Sequence, residues 1–113
     1  HNKYLILYSN EKLRLKEIKF LFAGLIKRKR DYYSGRMTAK ELEMADWEPF
    51  QLKLLKADVQ EYIDADDNVI ESKKLLALQE EKVNYLESIV KSLTTRGYLI
   101  KNAIDWKRFT EGH

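Results

Sequence analysis

From Lys3 to about Tyr33 the chain carries no proline and a single glycine, Gly24. This near-absence of helix breakers constrains the fold more than any other feature, because proline and glycine are the residues a helix interior tolerates least. One long helix is predicted over about 3–33. On a wheel of 100° per residue, Tyr4, Leu7, Leu15, Ile18, Leu21, Phe22 and Leu25 gather on one face. Lys12, Lys16, Lys19, Lys27 and Arg30 gather within about 80° of arc on another, and Phe20 borders that basic stripe. Ser34-Gly35 supplies a C-terminal stop, and cations in the last turn suit the helix dipole.

The next signals are punctuation. Thr38 with Glu41 three positions on makes a capping-box pattern, which predicts a short helix over about 39–46. Pro49 blocks continuation and biases Glu48 toward extended geometry. Residues 51–63 are predicted helical, with Leu55, Val59 and Tyr62 on one side. The acidic residues at 64–68 read as a turn and as the N-cap of the next helix.

A second long helix is predicted over about 67–95. Leu76, Val83 and Val90 recur every seven residues, Leu86 and Leu93 take the matching heptad positions, and the register runs on to Ile100 and Ile104. Leu75, Leu78, Tyr85 and Ile89 form a second, offset apolar stripe. Two stripes exceed what one neighbouring helix can cover, so a surface joining copies of the chain is expected along this helix, at Leu76, Val83, Leu86, Val90, Leu93, Ile100 and Ile104. Gly97 is expected to interrupt the helix, leaving a final amphipathic piece with Tyr98, Ile100, Ile104 and Trp106. The predicted fold is therefore all-α: two long antiparallel helices with short helices between and after, in one structural domain. Its parts are a basic helix (residues 1–36), connecting helices and turns (37–66) and assembly helices (67–113).

Composition removes several functions. There is no cysteine, and the two histidines stand at His1 and His113, so neither thiolate chemistry nor a His-centred catalytic or metal site is expected. Asp64, Asp66 and Asp67 lack the spacing of a calcium-binding loop, and no Gly-rich phosphate loop or nucleophile–base pair is visible. A non-enzymatic protein without cofactor or metal is expected. No apolar run approaches the roughly 20 residues that span a bilayer, and no secretory signal is visible, so the chain reads as cytoplasmic. It begins at His1 rather than Met, which reads as a processed or truncated product.

Charge is divided unevenly. Residues 1–36 hold ten Lys/Arg against three Asp/Glu, a net +7, whereas residues 37–113 hold eleven against fifteen, a net −4. The run Lys27-Arg28-Lys29-Arg30 ends the basic stripe and leads directly into Tyr32-Tyr33 and Arg36. A line of cations on a rigid rod suits the spaced phosphates of a nucleic-acid strand. The same helix would also suit the acidic surface of a partner protein, in a non-enzymatic adaptor. The rings of Tyr32 and Tyr33 can stack on unpaired bases or seal the helix end; Trp47, Trp106, Tyr4 and Tyr85 read as core or interface.

Two stretches carry a resemblance. Lys27-x-Lys29-x-Asp31-Tyr-Tyr-Ser-Gly-Arg36 resembles the K-x-R-x-D-Y-Y-S-G-R motif of the UvsY family, recombination mediator proteins of tailed phages. Arg96-Gly97-Tyr98, with Ile100-Lys101 and Phe109, resembles that family's R-G-F-x-I-K…F ending. Lys29 stands where the motif has Arg, and Arg28 and Arg30 add charge where it carries Ala and Leu. The resemblance implies a protein of the phage-infected host cytoplasm that binds single-stranded DNA and assembles as a hexameric or heptameric ring. It implies two protein partners, a RecA-like recombinase and the single-strand-binding protein that the recombinase replaces on DNA. Lys27 and Lys29 fall on the family's DNA-contacting positions. The expected contact set is Lys12, Lys16, Lys19, Lys27, Arg28, Lys29, Arg30, Tyr32, Tyr33 and Arg36.

Overall fold

The first helix ends where its glycine is. In the computed structural model, which describes residues 2–110, α1 runs from Asn2–Tyr33 and Gly35 takes the left-handed backbone (φ 73°) that lets the chain leave the helix. The Arg36 N–H donates to the Asp31 carbonyl at 2.8 Å and the Gly35 N–H to the Tyr32 carbonyl at 3.2 Å, the paired bonds of a Schellman stop. The capping box also forms. The Glu41 N–H donates to Thr38 Oγ1 at 3.2 Å, the Thr38 N–H donates to Glu41 Oε1 at 3.3 Å, and α2 covers Ala39–Ala45. Asp46 closes it in the left-handed region (φ 58°), one of the few non-glycine residue types that adopts this conformation readily.

The third helix is shorter than expected. Residues 51–55 are not helical, 56–58 form a turn, and α3 covers only Val59–Asp64. The reason lies in packing. Leu52 and Leu55 remain exposed, so a helix through them would have no buried face to support it, while the extended path brings Leu54 against the core. That core is Val59, Ile63 and Val69, with Phe22, Leu25, Ile26, Tyr33 and Leu54 packed around it.

The fourth helix is longer than expected. α4 runs from Asp67–Thr110 without a break, through Gly97. Its start is capped by Asp66, whose Oδ1 accepts the Val69 N–H at 3.1 Å. Gly97 has no close neighbour among the described residues and no left-handed backbone, and one glycine costs a helix only about 1 kcal/mol relative to Ala. The residues around it carry the helix across. Among the described residues there are four helices and no strand.

The chain divides into two compact units. One comprises His1–Leu15 and Gln79–His113. In it Val83 and Leu86 are buried, and Gln79 Nε2 donates to the Glu11 carbonyl at 3.0 Å and to Glu11 Oε2 at 2.6 Å. Lys82 Nζ lies 3.1 Å from Glu11 Oε1. The hydrogen bond from Gln79 and then that from Lys82 hold the Glu11 carboxyl below the usual carboxylate range. The other unit, Lys16–Leu78, contains the Val59–Ile63–Val69 core.

A test of helix continuity follows from Gly97. Gly97→Ala is expected to raise thermal stability by up to about 1 kcal/mol, since the new methyl group meets nothing among the described residues and the helix gains propensity. A calorimetric scan showing destabilisation would mean that the backbone bends at this position.

Candidate nucleic-acid interface

The motif around Lys29 is built inward as well as outward. Each residue of α1 turns the chain by 100°, so Lys29 falls one heptad beyond Phe22 and one turn beyond Leu25, on the face that packs against the core. The residue is only 4% exposed. The ammonium lies 3.0 Å from Asp66 Oδ2 and 3.9 Å from the centre of the Trp47 ring, with the Tyr32 ring centre at 5.5 Å. Asp66 also accepts a hydrogen bond from Tyr33 Oη at 2.6 Å. This carboxylate therefore serves Lys29, Tyr33 and the α4 N-terminus together.

Protonation is set by that geometry. Burial pushes the Asp66 carboxyl up, but hydrogen bonds from Tyr33, Lys29 and the Val69 N–H outweigh burial and hold it below its ordinary value. Burial, reinforced by the hydrogen bond to Asp66, pushes the Tyr33 hydroxyl well above the usual tyrosine range. At neutral pH the Asp66 carboxyl is therefore ionised and the Tyr33 hydroxyl remains a neutral donor.

The two tyrosines expected to face a strand are part of an aromatic cluster. Tyr32 meets Tyr33, Trp47 and Phe50 at ring-centre distances of 5.0, 5.4 and 5.6 Å, and Tyr33 meets Phe50 and Tyr62 at 4.9 and 5.6 Å. Tyr32 Oη donates to the Glu48 carbonyl at 2.5 Å. Both hydroxyls and much of both rings are thus engaged inside the unit.

The remaining cations point outward. Lys16, Lys19 and Lys27 are exposed and have no ion-pair partner among the described residues. Arg28 is exposed and lines a shallow cleft with Met37, Glu41, Met44, Ala45 and Trp47. Arg30 is exposed and donates to Gln60 Oε1 at 2.9 Å, and Arg36 lies 3.3 Å from Asp31 in an exposed pair. In the other unit, Lys12 is exposed with its ammonium 5.0 Å from the Tyr8 ring centre. Phe20, noted from sequence only as bordering the stripe, is 79% exposed.

The apolar positions of α4 divide. Val83 and Leu86, expected to join copies, are already buried within the chain; Leu76, Val90 and Leu93 are half-buried, and Ile104 is exposed. The side chains of Tyr98, Ile100 and Trp106 lie outside the described residues. The second stripe is the open one: Leu78 is 69% and Tyr85 68% exposed, with Leu75 similar, while Ile89 is half-buried. No group of His, Cys, Asp or Glu among the described residues could hold a metal ion, and no described helix is long and apolar enough to cross a membrane.

The buried pair makes a pH-dependent prediction. An Asp whose carboxyl is depressed in the folded state contributes stability that is present above its unfolded value of 3.8 and lost as pH falls through the folded value. Denaturant midpoints of the parent should therefore drop below about pH 4, and Asp66→Asn should flatten that drop. Lys29→Ala should destabilise by about 3–5 kcal/mol, because it leaves a buried carboxylate uncompensated. A Lys29→Ala protein with unchanged stability would place that ammonium in solvent.

Comparison with known proteins completes the site. A family model described as recombination, repair and ssDNA binding protein UvsY matches residues 1–113, the whole chain. No curated protein and no solved structure matches it significantly. The chain belongs to the UvsY family.

Proposed function

On that membership and on the outward cations of α1, we propose that this protein is a recombination mediator gripping the phosphates of single-stranded DNA through Lys16, Lys19, Lys27, Arg28, Arg30 and Arg36. The observation that carries the reading is the set Lys16, Lys19 and Lys27, exposed and without ion-pair partners among the described residues, in a chain whose family binds single-stranded DNA. Unpaired surface ammonium groups are free to displace counterions from a strand, the main source of sequence-tolerant affinity. Lys29, Tyr32 and Tyr33 support this face from behind. The mediator role is to help a phage RecA-like recombinase replace the single-strand-binding protein on DNA, without catalysis.

The two long helices run antiparallel in this reading, and copies assemble through α4 into a ring. The open positions Leu75, Leu78 and Tyr85 are better placed for such contacts than Val83 and Leu86, which the chain's own core occupies. A ring multiplies a weak basic helix, because each further contact with one strand is intramolecular.

Binding and assembly are testable separately. The double substitution Lys16→Ala/Lys27→Ala should weaken binding to all single-stranded sequences and lower the slope of log K against log salt by about 0.7 for each phosphate no longer neutralised. An unchanged slope, with retained binding to an acidic protein, would favour the adaptor reading. Leu78→Glu should reduce the sedimentation coefficient at low micromolar concentration while leaving helical content intact; an unchanged assembly would remove Leu78 from the interface.

A further inference from the structure

Among the described residues Phe20 is the most exposed aromatic of α1, at 79%. It lies nine residues from Lys29, and nine steps of 100° place it about 180° around the helix from that buried side chain. Its exposure of 79% follows directly. An isolated exposed apolar residue needs no explanation in general. This one has particular surroundings.

Lys16 stands one turn before it and Lys27 two turns after it, each within about 40° of the same direction. Along the axis they are about 6 and about 10 Å away, one on each side of the ring. The neighbours toward the helix C-terminus, at the positions three and four residues on, are Ala23 and Gly24. Gly24 has no left-handed backbone, and a Cβ placed there would meet nothing closer than Arg28 Nη1 at 3.9 Å. Neither conformation nor packing within the chain requires glycine at this position. Ala23 and Gly24 keep side-chain bulk low beside an exposed ring, the glycine at a cost to the helix of about 1 kcal/mol relative to Ala.

We propose that the Phe20 ring is a base-stacking platform: an unpaired nucleobase lies on it, beside the small residues Ala23 and Gly24, while Lys16 and Lys27 hold the flanking phosphates. The occupant is a nucleobase because the surrounding cations select an anionic chain and the ring offers a π-face that every base can match. An apolar side chain of a second copy would instead have to bury two or more unpaired lysines. The proposal rests on the single-strand reading above and adds to it the contact that recognises bases.

The experiment compares a thymidine oligonucleotide with an abasic oligonucleotide of equal length and charge, binding each to the full chain by fluorescence anisotropy. The parent should prefer the thymidine strand. Phe20→Ala should weaken binding of that strand by roughly 5- to 100-fold while its abasic affinity and salt slope stay unchanged. Phe20→Trp should restore the preference, and Phe20→Leu, apolar without a ring, should not. Equal affinity of the parent for both strands would overturn the platform and leave the phosphate-binding reading intact. Equal weakening of both strands in Phe20→Ala, or full preference in Phe20→Leu, would also overturn it. Binding of neither strand by the parent would overturn the single-strand reading, and the platform with it.

Discussion

The unit from Lys16 to Leu78 depends on one buried contact, the ammonium of Lys29 against the carboxylate of Asp66. Asp66 caps α4, and Tyr33, which shares Asp66 with Lys29, closes α1 and packs on Phe50 and Tyr62. That carboxylate therefore ties the end of α1 to the start of α4, and Tyr33 carries the contact on to Phe50 and Tyr62. Burying two charges is not in itself a route to stability, because desolvation offsets most of their attraction. The pair's contribution is orientation. It fixes which face of α1 is inside, and so which lysines are outside.

That constraint explains why a run of four cations does two jobs. Successive residues of a helix point 100° apart, so Lys27, Lys29 and Arg30 cannot share one environment. Lys29 takes the direction of Phe22 and Leu25, toward the core; Lys27 and Arg30 turn toward solvent. Shielding by the Trp47 and Tyr32 rings makes the inward position tolerable, since the negative face of an aromatic ring replaces part of the lost hydration. A motif that reads as uniformly basic is a basic face with a structural rivet behind it.

Much of the architecture was legible because it depends on local chemistry. The stop at Gly35, the Thr38–Glu41 box and the Asp66 cap are each decided within a few residues, and the start of α4 followed from the last, while the all-helical class followed from the scarcity of breakers and the helical periodicity. The misreadings came from where local preference is weak. Residues 51–55 have helix-forming composition, but nothing covers Leu52 and Leu55, so tertiary packing decided against the helix. Gly97 offered a stop signal too small to outweigh its helical neighbours. The inward turn of Lys29 was visible in the wheel, since it lies on the stripe of Phe22, yet its charge placed it among the expected outward contacts. Heptad periodicity alone could not tell which stripe of α4 the chain would use itself. Only the burial of Val83 and Leu86 shows that choice.

Cations alone leave a recognition problem that the arrangement on α1 addresses. Phosphates line duplex and single strands alike, and a duplex carries them at higher density, so an all-lysine face would favour the wrong substrate. Discrimination needs a contact that only unpaired bases can make. The faces of bases in a duplex are stacked on one another, and exposing one costs a few kcal/mol. A ring raised above a row of ammonium groups is indifferent to sequence but not to strandedness. In the proposed arrangement, with Phe20 between Lys16 and Lys27, affinity would come from the charges and selectivity from the ring, and the two could be tuned separately.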